Sequence, residues 1–372
     1  MPRHRRFRLL LVPVLALLAA PAAARSLRVP ADIESLQLAM AVAVDGDTLR
    51  LAPGTYTDDP VQTRLGPTLY VMDRLLTLIG EPGGKVILHG GYADRILLAT
   101  PGATGSAIEN IDFVGGMAWE GGGVYQASSL LRLVNCSFRE NGAEADGGGL
   151  YALRGSLGLE GCVFDSNRAG ARGGGLFLAD AAIELTGCTL IGDDARAGGA
   201  LYLAPGGHAE LTYCLLVDGS AAKGGWARVD DGFLSARQCT FFGLPGERES
   251  GGISLRGELG SAFIETSILC FSGAAALEGE REGAAMLLCC DVYGNAGGDW
   301  AGLVAAQAGQ GGNLSADPGF CGLREGNFAP AADSPCAPAG NPCRELIGAL
   351  DVGCSGGGGD HAEGEVLRSE GR

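Results

Sequence analysis

A cysteine recurs at an almost constant interval through the middle of the chain: Cys136, Cys162, Cys188, Cys214 and Cys239, in steps of 26, 26, 26 and 25 residues. A glycine run keeps the same step. It passes from Gly147-Gly148-Gly149-Leu150-Tyr151 through Gly173-Gly174-Gly175-Leu176-Phe177 and Gly198-Gly199-Ala200-Leu201-Tyr202 to Gly224-Gly225-Trp226 and Gly251-Gly252-Ile253. Two markers in phase over five units predict a solenoid with one coil per repeat.

Inside a unit, Leu157-Gly158-Leu159-Glu160-Gly161-Cys162 alternates apolar with small or polar residues, which is a strand pattern. No window carries i, i+3, i+4 apolar spacing long enough for a helix, so helical and leucine-rich repeats are disfavoured. Glycine permits the left-handed backbone of a tight corner, and each unit gathers two or three at one place. The expected fold is all-β, a single-stranded right-handed parallel β-helix. Equivalent residues of successive coils then stack about 4.8 Å apart. Cys136, Cys162, Cys188, Cys214, Cys239 and Cys290 form an internal ladder of free, buried thiols acting as small apolar residues, with Ile111 before them and Ile268 between the last two.

Outside the repeats, Arg3, Arg5, Arg6 and Arg8 precede an apolar run from Leu9 to Ala20 and then Ala22-Ala23-Ala24. This predicts a signal peptide over 1–24, hence a secreted or cell-surface protein. No later stretch is apolar enough for a membrane span. Losing those four arginines takes the formal charge from −16 to −20, with Lys85 and Lys223 the only lysines. Such a charge excludes nucleic acid and anionic membrane surfaces as partners. Asp32 to Val44 predicts a capping helix started by Asp32. The β-helix is expected over 25–312, a capping segment sealing its far end over 313–354, and a disordered glycine-rich tail over 355–372. Cys270, Cys289, Cys321, Cys336, Cys343 and Cys354 are an even set for disulfides, with Cys336–Cys343 favoured for its short loop.

The entry Asp45-Gly46-Asp47-Thr48, followed by Gly54-Thr55-Tyr56, resembles the entry segment of β-helix proteins in the pectate-lyase-like superfamily, which implies the fold. Phe138-Arg139-Glu140-Asn141 with Gly148-Gly149-Leu150-Tyr151, and Phe164-Asp165-Ser166-Asn167 with Gly174-Gly175-Leu176-Phe177, resemble repeats of the polymorphic outer-membrane protein family. That resemblance implies a β-helical passenger region acting in adhesion at the cell surface. It covers roughly 108–255 and decays, the Phe/Asn pair becoming Leu190/Asp193 and then Leu216/Gly219. No alternating barrel strands follow residue 300, so the protein is expected to be released or held by something else. Asn313 to Cys321, Asp333 to Cys336 and Ile347 to Cys354 resemble the closing module of secreted bacterial β-helix proteins.

For chemistry, Asp180, His208, Asp230 and Asp231 fall after the glycine strand on three successive coils. Asp180 and Asp231 are expected about 9.6 Å apart, near the upper end of the carboxylate separation of inverting glycosidases. Solvated polar turns are the plainer account of the same residues. Asp291, Asn295 and Asp299 offer oxygen ligands for calcium, although turn chemistry accounts for them too. Asn135-Cys136-Ser137 and Asn313-Leu314-Ser315 match the glycosylation sequon, but Asn135 is expected in a buried strand. No nucleophilic triad emerges. The expected function is an adhesin-like structural or binding module, a monomer that takes carbohydrate or a surface protein. The alternative is a carbohydrate-active enzyme, a polysaccharide lyase or glycoside hydrolase.

Overall fold

The chain is described by a computed structural model over residues 24–244, 252–281 and 283–355. The expected signal segment up to residue 23 and the glycine-rich tail beyond 355 lie outside the described residues. The fold is an all-β parallel solenoid of about ten coils. Each regular coil contributes three short strands, and each stacks in register on its equivalents above and below.

The first face is a ten-stranded parallel sheet that includes Asp112–Val114, Ser137–Arg139, Val163–Asp165 and Thr189–Ile191. Its inward column stacks Phe113 on Phe138 at 4.9 Å between centroids, and Phe138 on Phe164 at 4.5 Å with rings 1° from parallel. We call this the phenylalanine sheet. The second face, the tyrosine ladder, includes Val124–Ala127, the first half of Leu150–Glu160, Leu201–Leu203 and Ala227–Asp230. The third, the leucine ladder, includes Ser106–Glu109, Leu130–Val134, the second half of Leu150–Glu160, His208–Thr212 and Phe233–Arg237.

The glycine corner lies ahead of the tyrosine ladder. Gly147 has φ 66°, and a Cβ there would sit 2.7 Å from Leu150 O and 2.8 Å from Tyr151 Cβ. Only glycine fits both the left-handed backbone and that space. In the same connection, against the corner glycines, Asn141 and Asn167 run a buried amide ladder. Asn141 Nδ2 donates to Phe113 O (3.0 Å) and to Asn167 Oδ1 (3.0 Å), and Asn167 Nδ2 donates to Phe138 O (2.9 Å) and to Asp193 Oδ1 (3.0 Å).

Cys136, Cys162, Cys188, Cys214, Cys239 and Cys290 are free, buried and each one residue ahead of its phenylalanine-sheet strand. They do more than fill space. Cys162 Sγ lies 3.6 Å from both Leu133 O and Glu160 O, and Cys188 Sγ 3.5 Å from Leu159 O and 3.6 Å from Thr186 O, so the thiols donate to carbonyls at the corner. The ladder residue between Cys239 and Cys290 is Ser267. Ile268 instead pairs with Thr240, one step along the strand and on the outward face.

Several expectations are corrected. The N-terminal helix spans Leu36–Val42 and is capped by Ser35, whose side chain accepts from Leu38 N. Asp32 is occupied elsewhere, accepting from Arg28 N (2.9 Å) at the free edge of the first strand, Ser26–Val29. The disulfides are Cys289–Cys343 and Cys321–Cys354, while Cys336 and Cys270 are free and buried. Cys336 cannot reach Cys343 because its thiol is turned inward onto Asp291 Oδ2 (3.3 Å). The far end of the solenoid is closed by 296–313, where Gln307 accepts from Leu287 N (2.8 Å) and donates to Ala285 O (2.9 Å). Residues 314–354 form a strap folded back over the outside of the phenylalanine sheet. There Phe320, Phe328 and Ile347 bury Val217, Phe242, Ile268 and Cys270, and Ala349 N donates to Thr240 Oγ1 (3.0 Å). Asn135 is exposed at a left-handed corner (φ 50°), not buried in a strand. No helix among the described residues is long and apolar enough to cross a membrane.

Candidate functional site

The four residues nominated as an acid–base set separate into three places. Asp180 (φ 47°) and Asp231 (φ 51°) both occupy left-handed corners between the tyrosine and leucine ladders, two coils apart, with Gly206 on the coil between them. Each leans over the glycine of the following coil: a Cβ on Gly206 would lie 2.4 Å from Asp180 Oδ1, and one on Gly257 2.1 Å from Asp231 Oδ1. Asp231 Oδ1 also accepts from Leu259 N (2.9 Å). The two carboxylates therefore point along the axis in the same sense and do not face each other. Asp230 sits on the tyrosine ladder, bound to Arg228 Nε (2.7 Å) and to the Tyr202 hydroxyl. His208 sits on the leucine ladder, stacked on Phe233 at 5.1 Å with Nε2 3.3 Å from Glu210 Oε1.

The calcium trio is also committed to structure. Asp291 is buried and accepts from Ala316 N (3.0 Å) and Cys336 Sγ, and burial pushes its carboxyl up to about 7. Asn295 accepts from Ser272 N (3.0 Å) and donates to Leu269 O (3.1 Å). Asp299 accepts from Asn295 N (2.8 Å) and Ser315 Oγ (3.0 Å). Together they fasten the closing segment and the strap to the last coil. Among the described residues no group of three His, Cys, Asp or Glu side chains could hold a metal ion.

Two outward faces remain. On the tyrosine ladder, Tyr125, Tyr151, Phe177 and Tyr202 stack at 4.8, 4.8 and 5.3 Å between centroids. Arg172 lies against this stack, 4.9 Å from the Phe177 ring, and is tied to Asp146 through Nε (3.0 Å) and Nη2 (2.6 Å). The rings cover one another's faces and are almost fully buried, so the row is a second small core outside the coils. Burial first, and then Asp230, holds the Tyr202 hydroxyl above its ordinary range, which keeps it protonated.

The leucine ladder carries an open groove of about 480 Å³ whose lining spans four coils, from Gly105 and Ser106 to Glu184. Register builds it: Leu130, Ser156 and Ala182 form one outward column, continuing to His208, and Arg132, Gly158 and Glu184 form the next, continuing to Glu210. Side chains shrink to Ser156 and Gly158 in the middle coil, leaving a trough between Leu130 and Arg132 on one coil and Glu184 on the other. The sequence reading missed Leu130, Gly158, Glu184 and Glu210. The signal was present, because the step of 26 that aligns the cysteines also aligns Arg132, Gly158, Glu184 and Glu210.

No protein-family model matches the chain. No curated protein matches it in sequence. Among solved structures, the fold is similar to that of pectate lyase Pel9A, with a TM-score of 0.50 at 10% identity over 88% of this chain and 96% of that one. A pectin methylesterase from Aspergillus niger aligns with a TM-score of 0.38 at 15% identity over 76% of this chain and 88% of that one. The first likeness shows the fold alone, a pectate-lyase-like right-handed β-helix.

Proposed function

We propose that this chain is an extracellular, adhesin-like scaffold that binds a carbohydrate chain along its leucine ladder and does not cleave it. The observation that carries the reading is the trough at Ser156 and Gly158. It is shallow, runs across the strands, and has a volume within the roughly 300–1,000 Å³ of ligand sites. Hydrolysis needs two carboxyl groups flanking one bond; Asp180 and Asp231 point the same way along the axis without facing each other, and Asp230 is held on the tyrosine ladder by Arg228 and Tyr202. The resemblance of the repeats to surface adhesins points the same way, as does the expected signal segment. Residues on a rigid sheet present a ligand with a fixed array, which suits recognition of a repeating polymer.

The test is a panel of neutral, acidic and amino polysaccharides incubated with the protein. Binding without new chain ends or unsaturated products is expected. Turnover of any member would replace this reading with the carbohydrate-active enzyme.

A further inference from the structure

The groove carries information about the charge of its ligand. Arg132, the one arginine lining the groove, is tied to Glu160 (2.6 Å), and Arg237 further along the face to Glu265 (3.6 Å), so the nearby cations are already engaged. Glu184 and Glu210 are direct neighbours on adjacent strands of one column, about 4.8 Å apart along the axis. Like charges placed opposite each other destabilise a sheet. The Glu184 carboxylate makes no hydrogen bond or ion pair among the described residues, and Glu210 has only His208. The molecule as a whole is strongly acidic, which adds to the negative potential over the trough.

Resting on the carbohydrate-binding reading, we infer that the groove between Leu130 and Glu184 takes a glycan bearing free amino groups, whose cations would relieve the Glu184–Glu210 repulsion. An acidic polysaccharide would meet the same carboxylates as an added charge. A basic peptide is the competing source of cations, but extended peptides gain affinity by adding to a free sheet edge. Here the strand Leu130–Val134 is paired on both sides, with Ser106–Glu109 and Leu150–Glu160, so this face offers no edge.

The test uses calorimetric titration of the intact protein with four probes: glucosamine oligomers, N-acetylglucosamine oligomers, oligogalacturonate and a lysine-rich peptide. Glucosamine oligomers are expected to bind tightest. E184Q should weaken them about threefold and E184Q/E210Q about tenfold, the scale of exposed ion pairs, while the acetylated oligomers are unaffected. Gly158→Leu should abolish binding of both. A Cβ at Gly158 meets only Arg132 Cγ, at 3.9 Å, so this variant fills the trough without straining the strand. Sugar binding with no preference for the amine, tighter oligogalacturonate or peptide, or an unchanged E184Q would overturn the inference and leave the carbohydrate reading standing. Failure of every sugar to bind would overturn both.

Discussion

Ser267 Oγ accepts from Cys239 N (3.0 Å) and donates to Glu265 O two residues back (2.7 Å), while Cys239 Sγ makes the same two-back contact with Arg237 O (3.3 Å). Serine thus replaces cysteine in this column without losing the donor. The ladder position calls for a small side chain that can donate to the corner carbonyl, and apolar character alone does not describe it. Cys188→Ala should lower stability by about 1–3 kcal/mol through cavity and lost contact, and Cys188→Ser by less. Chemical denaturation of the two variants checks the order; an equal or larger loss for serine would contradict the donor role.

Asp193 continues the amide ladder as an acid. Its Oδ1 accepts from Asn167 N (2.8 Å) and Nδ2 (3.0 Å), and its Oδ2 is buried without a partner. By equivalence with Asn167 Nδ2 on Phe138 O, that oxygen faces the carbonyl of Phe164, which calls for a proton. Burial drives the carboxyl well above its ordinary 3.8. A raised folded value means that the stabilisation is complete below 3.8 and is lost as pH rises through the folded value. D193N should therefore gain about 1–3 kcal/mol at neutral pH and flatten the pH dependence of the melting temperature. A variant that melts lower than the parent at neutral pH would refute this.

Asp47 behaves in the opposite sense. Hydrogen bonds from the Arg25 side chain, reinforced by the backbone amides of Val44 and Arg25, hold its carboxyl down at about 2. Its contribution is present above the ordinary 3.8 and is lost as pH falls towards about 2. Arg25→Ala should make acid unfolding begin at higher pH, followed by circular dichroism. An unshifted acid transition would show that the pair does not hold the N-terminal strand.

Beyond the backbone at residue 313, the strap is joined to the coils by one disulfide, Cys289–Cys343, since Cys321–Cys354 joins the strap to itself. Cys343→Ser should cost about 2–4 kcal/mol. Alkylation followed by mass mapping should then find Cys270 and Cys336 labelled while Cys162 and Cys188 stay protected. Uniform labelling of all four would mean that the strap and the solenoid unfold together.

The architecture was legible because a solenoid repeats its own evidence. Cys136 to Cys239 and the glycine corners announce the coil five times over, and parallel stacking then fixes every column. The ends were less legible. Asp32 and Ser35 are both good caps, and the choice fell to Ser35 because the free strand edge at Arg28 takes Asp32. Cys336 and Cys343 are close in sequence, but the strap's path turns one inward and leaves the other at the surface. The nominated acids stand apart for a related reason: sharing a corner fixes position along the axis, whereas side-chain direction there depends on the neighbouring glycine. The groove residues follow the same period, but Ser156 and Gly158 shape the trough by being small, and a small residue on a flat strand carries no chemical signal of its own.

In-register columns also separate the cross-section of this molecule from its length. Excising 163–188 would join Cys162 to Thr189 with each sheet still aligned, and would bring His208 and Glu210 to the edge where Ala182 and Glu184 now stand. Reach is therefore counted in whole coils, and a lineage can lengthen or shorten its contact with a polymer by duplication or loss of one unit without redrawing the interior.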